Sequence, residues 1–474
     1  MSAHFFHVRW GLAALFLALR CAGAAPSLTL EESIQAALKN NRPLRLLELN
    51  LDSRALGVAE ARTEFSVMFQ PEGQAATDNE GAQTAYGMSA SKKQGIGTAV
   101  LAEGRWTKTG FSESPDLHRG VVRVEVRQPL LRRLGRLVNE EPIVQAESSV
   151  QAARREVELY RTDLVVQVVE GYEELLRLQR QLHFDTQALQ RSEQLLRLTR
   201  VRERQGRATR VDALRVDLQH GENQIRLNKT RESLENAGAA FAELLGQTPS
   251  AELNVTDSPR LEVEAPGRTE ALRVALEHRL DYAQVLADHR DVERGIRIAR
   301  RNLLPDLELI GRYERSGEGE RSSDSFDFDQ EAWFVGLAAD TDVRRQRERF
   351  ALGQARLRGE SARGMIEIVR SALERQVQQA LAAYERARHE TLFAQRNYHL
   401  AESRARLARR MFEIGKGDNF TVTDAENALL EAQNRMLLSQ AEVSIAAYRM
   451  LRVLGTLLEY PEDLKPPPGG ERES

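Results

Sequence analysis

Cysteine is all but missing from these 474 residues: Cys21 is the only one. It lies in a leader-like start, where Arg9 precedes an apolar stretch from Trp10 to Leu19 and Ala22-Gly23-Ala24 offers small residues for cleavage. That is the layout of a secretory signal peptide over residues 1–24, cut after Ala24, because a cut after Ala25 would leave Pro26 directly behind it. A lipoprotein reading of Cys21 is opposed by Arg20, which stands where a small residue is needed. A mature chain beginning near Ala25 has no thiol, so disulfides, cysteine-ligated zinc and thiol catalysis are excluded. Beyond the leader no run of 18 or more apolar residues exists, so no transmembrane helix is expected and any membrane contact must use strands. Aromatics make up only 6%, and the net charge is -3 with 29% of residues charged, a balance that suits long solvated helices. It offers little to nucleic acid: the basic stretch around Arg197 to Arg215 is broken up by Glu193, Glu203, Asp212 and Asp217. The nine histidines are scattered, and His-Glu-x-x-His, Gly-x-Ser-x-Gly and phosphate-cradling glycine loops are absent. The chain is therefore read as no enzyme, with no catalytic residue, metal site or cofactor.

What is present is a duplication. Gly206 matches Gly415 and Gly246 matches Gly455, each pair separated by 209 residues (415 − 206 and 455 − 246). Nearer the starts, Ala37-Leu38 and Ala61-Arg62 match Ala275-Leu276 and Ala299-Arg300 at an offset of 238, which places 238 − 209, or 29, extra residues in the first half. Two repeats follow, residues 25–250 and 265–458, with a Pro/Gly-rich flexible tail over 459–474. The ends of each repeat are helical. One helix is predicted from Leu28 to about Phe65, opened by Thr29 with Glu32 as a capping box. Another runs from Pro142 to Gln205, roughly 95 Å of unbroken helix. Val168, Leu175, Leu182, Leu189 and Leu196 fall at steps of seven within it, as do Leu429, Met436, Val443 and Met450 later, so these helices lie side by side in a coiled-coil wall.

The middles have period two. Val122-Arg123-Val124-Glu125-Val126-Arg127 alternates at every step, and Leu307-Glu308-Leu309 and Phe326-Asp327-Phe328-Asp329 alternate again, which predicts strand blocks over about 67–128 and 305–340. Pro129 closes the first block and Pro305 opens the second. Trp106 and Trp333 both lie in these blocks, and aromatic residues on strands suit a membrane interface. The extra residues fall between about 86 and 110, where Gly95-Ile96-Gly97-Thr98 separates two short alternating stretches; an additional hairpin near the barrel is expected there. A few strands cannot close a barrel alone, and open edges are not tolerated in lipid, so closure needs several chains.

On these residues the chain resembles the TolC family of bacterial outer-membrane efflux proteins. The opening helix from Leu28 to Asn41, Gln128-Pro129-Leu130-Leu131-Arg132 with Gly135-Arg136, Ala299-Arg300 with Leu303-Leu304-Pro305, and Gly415 with Val422-Thr423-Asp424-Ala425 carry the resemblance, in family order. It implies an α+β membrane protein in which very long helices form a coiled-coil tunnel and a few strands per chain join a trimeric 12-stranded barrel. It further implies a homotrimer in outer-membrane lipid that extends into the periplasm, a periplasmic adaptor and an inner-membrane pump as partners, and passive efflux or type I secretion. The tips Gly206-Arg207-Ala208-Thr209 and Gly415-Lys416-Gly417-Asp418 are the implied adaptor-docking sites. Asp424, with Thr421 and Asp212, is the candidate periplasmic gate, although Gly417 and Thr421 replace the Arg and acid usual in the family. The plainer reading of Asp424 is a helix cap or a solvated carboxylate. The competing function is a periplasmic coiled-coil structural or adaptor protein, which would show one hairpin flanked by compact β domains rather than two hairpins with strands between them.

Overall fold

The computed structural model describes residues 27–77, 81–111, 115–248, 253–256, 261 and 263–467. The leader with Ala24 and Cys21 and the last residues, 468–474, lie outside the described residues. In chain order the elements are β1 (Ser27–Leu28), α1 (Leu30–Asn40), α2 (Arg42–Thr63), β2 (Val67–Thr77), β3 (Gly81–Lys93), β4 (Ala99–Phe111), β5 (Leu117–Pro129), α3 (Arg136–Asn139), α4 (Glu141–Arg204) and α5 (Arg210–Leu244). The second half continues with β6 (Asn254–Val255), α6 (Arg268–His278), α7 (Leu280–Arg301), β7 (Asp306–Gly319), β8 (Gln330–Asp340), α8 (Gln346–Glu413) and α9 (Asn419–Leu454).

The single helix expected over Leu28 to Phe65 is two. Thr29 and Glu32 do form the capping box, but the chain leaves helical geometry at Asn41, with ψ at 123°. There the Asn41 Oδ1 accepts from the Leu44 N–H at 3.0 Å and Pro43, which has no N–H to satisfy, enters the first turn of α2. The break recurs in the second repeat at Arg279, 238 residues on, so α1 and α2 map onto α6 and α7 end for end. All four repeat glycines, Gly206, Gly246, Gly415 and Gly455, have φ between 69° and 79° and end a long helix in the same way. In each, the next residue's N–H reaches back to a carbonyl five earlier, as Arg207 does to Arg202 at 2.8 Å and Lys416 to Met411 at 2.9 Å.

The repeat also holds in the cores. Val168, Leu175 and Leu245 are buried in one cluster, and Val377, Tyr384 and Leu454, each 209 residues later, are buried in another. Each such side chain contributes about 1.5–3 kcal/mol of burial. At its widest the helical wall is packed in the order α5, α4, α9, α8. Nearer the sheet the order is α2, α4, α7, α8. The tail is not free as far as 467: Tyr460 and Leu464 are buried against Leu280, the Tyr460 and Thr162 hydroxyls lie 2.6 Å apart, and Arg155 Nε donates to the Leu464 carbonyl at 3.1 Å. This corrects the expectation of a flexible segment from 459.

The six long strands form one antiparallel sheet in the order β2-β3-β4-β5-β7-β8. The extra residues of the first half are β3 and β4, which stand within the sheet, between β2 and β5. Together with the four strands outside the insertion they make six long strands in one chain. Pro71 falls within β2, an edge strand, where a missing N–H is tolerated.

Candidate conduit and gate

Cross-strand pairing sorts the sheet's side chains onto two faces. Phe69, Ala90, Ala102, Val124, Tyr313 and Trp333 occupy one row across all six strands, and Val67, Val100, Val126, Val335 and Leu337 extend that face. Most of its large apolar groups are exposed, Trp333 at 76% and Phe69 at 72%. The opposite face is ionic. Arg105 reaches over Gly87 to Glu72 at 2.7 Å and lies 3.4 Å from Glu103; Arg123 links Glu103 to Glu314, the latter at 2.9 Å. Below that ladder the buried Glu125 is held by Arg127 at 2.5 Å and Arg312 at 2.7 Å. One oily and one charged face on strands of 11–14 residues is the pattern of a lipid-exposed barrel wall with a wet lumen. At about 3.3 Å per residue and 45° of tilt such strands reach across roughly 25–33 Å.

Pro129 and Pro305 sit together at the end where sheet meets helices: Leu130 N–H donates to the Leu307 carbonyl at 2.8 Å and Arg132 N–H to the Pro305 carbonyl at 3.3 Å. At the opposite end the segment between β7 and β8 folds onto the apolar face. Trp106 Nε1 donates to Ser325 Oγ at 3.1 Å, Trp106 stacks between Tyr86 and His118, and Phe326 meets Phe328 edge-on. Gly120 makes room, since a Cβ there would lie 2.2 Å from the Ser325 carbonyl. Amphipathic rings such as Trp106 and Tyr86 are of the kind enriched at membrane–water interfaces.

The two hairpin tips adjoin. Arg202 donates to the Phe412 carbonyl at 2.7 Å and stacks on the Phe412 ring at 3.9 Å; Thr199 Oγ1 donates to Asn419 Oδ1 at 3.3 Å, and Arg215 lies over Phe420. Sequence reasoning missed this clamp, whose only trace was an Arg four residues before Gly206 and a Phe three before Gly415. Arg207, Ala208, Lys416 and Gly417 form the turns themselves. The three gate candidates do not share one contact. Asp212 closes a capping box with Thr209, whose hydroxyl donates to it at 2.6 Å and whose N–H donates at 3.0 Å. Thr421 gives its N–H to the Asp418 cap at 2.9 Å. Asp424 pairs with Arg404 on α8. Deeper in the wall, Glu426 lies between Arg191 at 2.9 Å and Arg409 at 3.0 Å.

The caps make the tips acid-sensitive. The Thr209 hydroxyl and N–H hold the Asp212 carboxyl below the usual range, and those of Thr421 do the same for Asp418. A carboxyl lowered in the folded state stabilises it above the unfolded value, and that stability is lost as pH falls through the folded value. Faster amide exchange at Asp212 and Thr421 is therefore expected below about pH 4 than at pH 6 after correction for intrinsic rates, with α4 amides unchanged; equal protection at the two pH values would refute it.

Among the described residues no helix is long and apolar enough to cross a membrane, and no group of His, Cys, Asp or Glu is placed to hold a metal ion. Residues 271–456 match the sequence profile of a family described as outer membrane efflux protein. No curated protein sequence matches. The fold is similar to solved outer-membrane channels. OprN has a TM-score of 0.71 at 18% identity, over 90% of both chains, and CmeC of Campylobacter jejuni a TM-score of 0.71 at 14%, over 92% of this chain and 87% of its own. VceC of Vibrio cholerae has a TM-score of 0.69 at 18%, over 90% of this chain and 96% of its own.

Proposed function

We infer, for a chain whose second repeat belongs to the outer membrane efflux protein family, that it is the outer-membrane duct of an export system. It conducts substrates passively outward from the periplasm and catalyses no reaction. The carrying observation is the sheet: an exposed apolar face backed by a charged one, continuous with helices of 64 and 68 residues, about 100 Å long. A structural or adaptor protein has no use for a lipid-facing sheet in series with such a rod.

The assembly is a homotrimer. Among the described residues both edges of the sheet, β2 and β8, are unpaired, and backbone groups at a lipid-exposed edge need partners. The outer members of the helical wall carry matching apolar stripes: Val211, Leu214, Leu218 and Ile225 on α5, and Phe393, Leu400 and Leu407 at steps of seven on α8, continued by Ile414 at its C-cap. Copy after copy, β8 meets β2 and α8 meets α5 until the ring closes.

The tips at Gly206 to Thr209 and Gly415 to Asp418 dock a periplasmic adaptor that carries substrates from an inner-membrane pump. The gate lies just behind them at Asp424, Thr421 and Asp212. Opening there must part Asp424 from Arg404, a solvated pair that costs about 0–1 kcal/mol to break. A cell lacking the chain is expected to become sensitive to exported toxic compounds, with the protein found in the outer-membrane fraction. Wild type should restore resistance, whereas Gly415→Val, which strains a residue at φ 79°, should form trimers yet fail to restore it. A Gly206→Val, Gly415→Val double variant with full export would remove the docking role, and a protein recovered with the inner membrane would remove the duct.

A further inference from the structure

The β3–β4 hairpin follows the membrane pattern on both strands. Tyr86, Met88 and Ala90 with Val100, Ala102 and Trp106 lie on the apolar face; Ser89 and Ser91 with Glu103, Arg105, Thr107 and Thr109 lie on the charged one. A hairpin folded beneath a barrel, or standing free in water, has no use for an oily face flush with that of its neighbours. Its ion pairs run into the sheet on both sides, through Arg105 to Glu72 on β2 and through Glu103 to Arg123 on β5.

Its turn is also seated. Gly97, at φ 98°, fits where a Cβ would come within 2.8–2.9 Å of the Arg133 carbonyl, Pro129 and Asn139; Gly95 abuts Glu140, and Gly135 N–H donates to the Ile96 carbonyl at 2.9 Å. That socket is the junction between β5 and α4.

We propose that the inserted hairpin makes this an eighteen-stranded trimeric barrel, whose bore is about 1.5 times that of twelve strands at equal tilt and so of porin class. The proposal rests on the trimeric duct above. The hairpin is then a size determinant of the portal. It sets the largest solute that can pass between the outside and the lumen.

The mature chain lacks cysteine, so Ile310→Cys on the charged face of β7, near the helix junction, provides a single reporter. Intact cells carrying it are labelled from outside with maleimide-polyethylene glycols of graded size. The same is done in a variant whose residues 81–111 are replaced by a short Gly-Ser link. The full chain should admit polymers about 1.5 times larger in hydrodynamic radius than the deletion variant admits. Cryo-electron microscopy of the full-length trimer in nanodiscs should show eighteen wall strands, and does not depend on the deletion variant folding. A trimer with twelve wall strands, or an unchanged size limit in a folded deletion variant, overturns the proposal alone. A monomeric or soluble protein overturns it together with the duct.

Discussion

Replacing Leu400 and Leu407 together by glutamate is expected to turn the trimer into a monomer. Both side chains are exposed on α8, one heptad apart, and in the proposed ring they would meet the α5 stripe of the neighbour. Each leucine buried there contributes about 1.5–3 kcal/mol, so the pair amounts to about 3–6 kcal/mol per interface, or roughly two to four decades in the association constant. Glutamates facing an apolar stripe would add a desolvation penalty. The same positions changed to methionine keep volume and apolarity and should keep the trimer. Mass photometry of detergent-purified protein reads the difference directly. A double glutamate variant that still runs as a trimer would mean that α8 faces solvent or lumen and that the ring closes elsewhere.

Removing the Phe241 ring is expected to cost about 3–5 kcal/mol, the usual toll for emptying a buried aromatic site. Phe241 is 1% exposed, meets Tyr172 edge-on at 6.3 Å, and fills the space left by Gly171, where a Cβ would lie 2.8 Å from the ring. Tyr172 in turn donates to the carbonyls of Thr256 at 2.5 Å and Leu28 at 3.1 Å, binding the short β1–β6 pair to α4. Phe241→Ala should therefore loosen the end of α5 and expose Arg226, Lys229 and Arg231 to trypsin, while the sheet stays protected. Phe241→Leu should lie between the two. Met450, its counterpart 209 residues on, is equally buried, and Met450→Ala should cost about 2–5 kcal/mol in the other core. Unchanged tryptic patterns in both alanine variants would show that these cores do not hold the hairpins.

Much of this architecture could be read in advance because the periodic signals were long. Sixty-four helical positions from Glu141 to Arg204, and alternation as regular as Val122 to Arg127, leave little freedom of interpretation. The glycine pairs were legible for a physical reason: a left-handed cap at the end of a long helix admits few other residues. Local signals failed where a tertiary contact decides. Asn41 ends α1 because its side chain serves Leu44 and reaches the Leu244 carbonyl at 3.1 Å, more than two hundred residues away. The inserted hairpin could be sensed from its alternation but not placed, since strand order depends on partners rather than period. Gate reasoning from Asp424, Thr421 and Asp212 found carboxylates and hydroxyls at the tips, yet the Arg404 partner of Asp424 lies on the preceding helix, outside any short motif.

The clasp that residues 460–464 make on α4 constrains the order of events during biogenesis. Thr162 and Arg155 belong to the first repeat, while Tyr460 and Leu464 come after both. A chain threaded into the periplasm from its N-terminal side would have α4 waiting with this flank uncovered until the second repeat has been delivered. That flank of α4 can be covered only after both repeats have been delivered, so the first repeat cannot complete its native packing on its own.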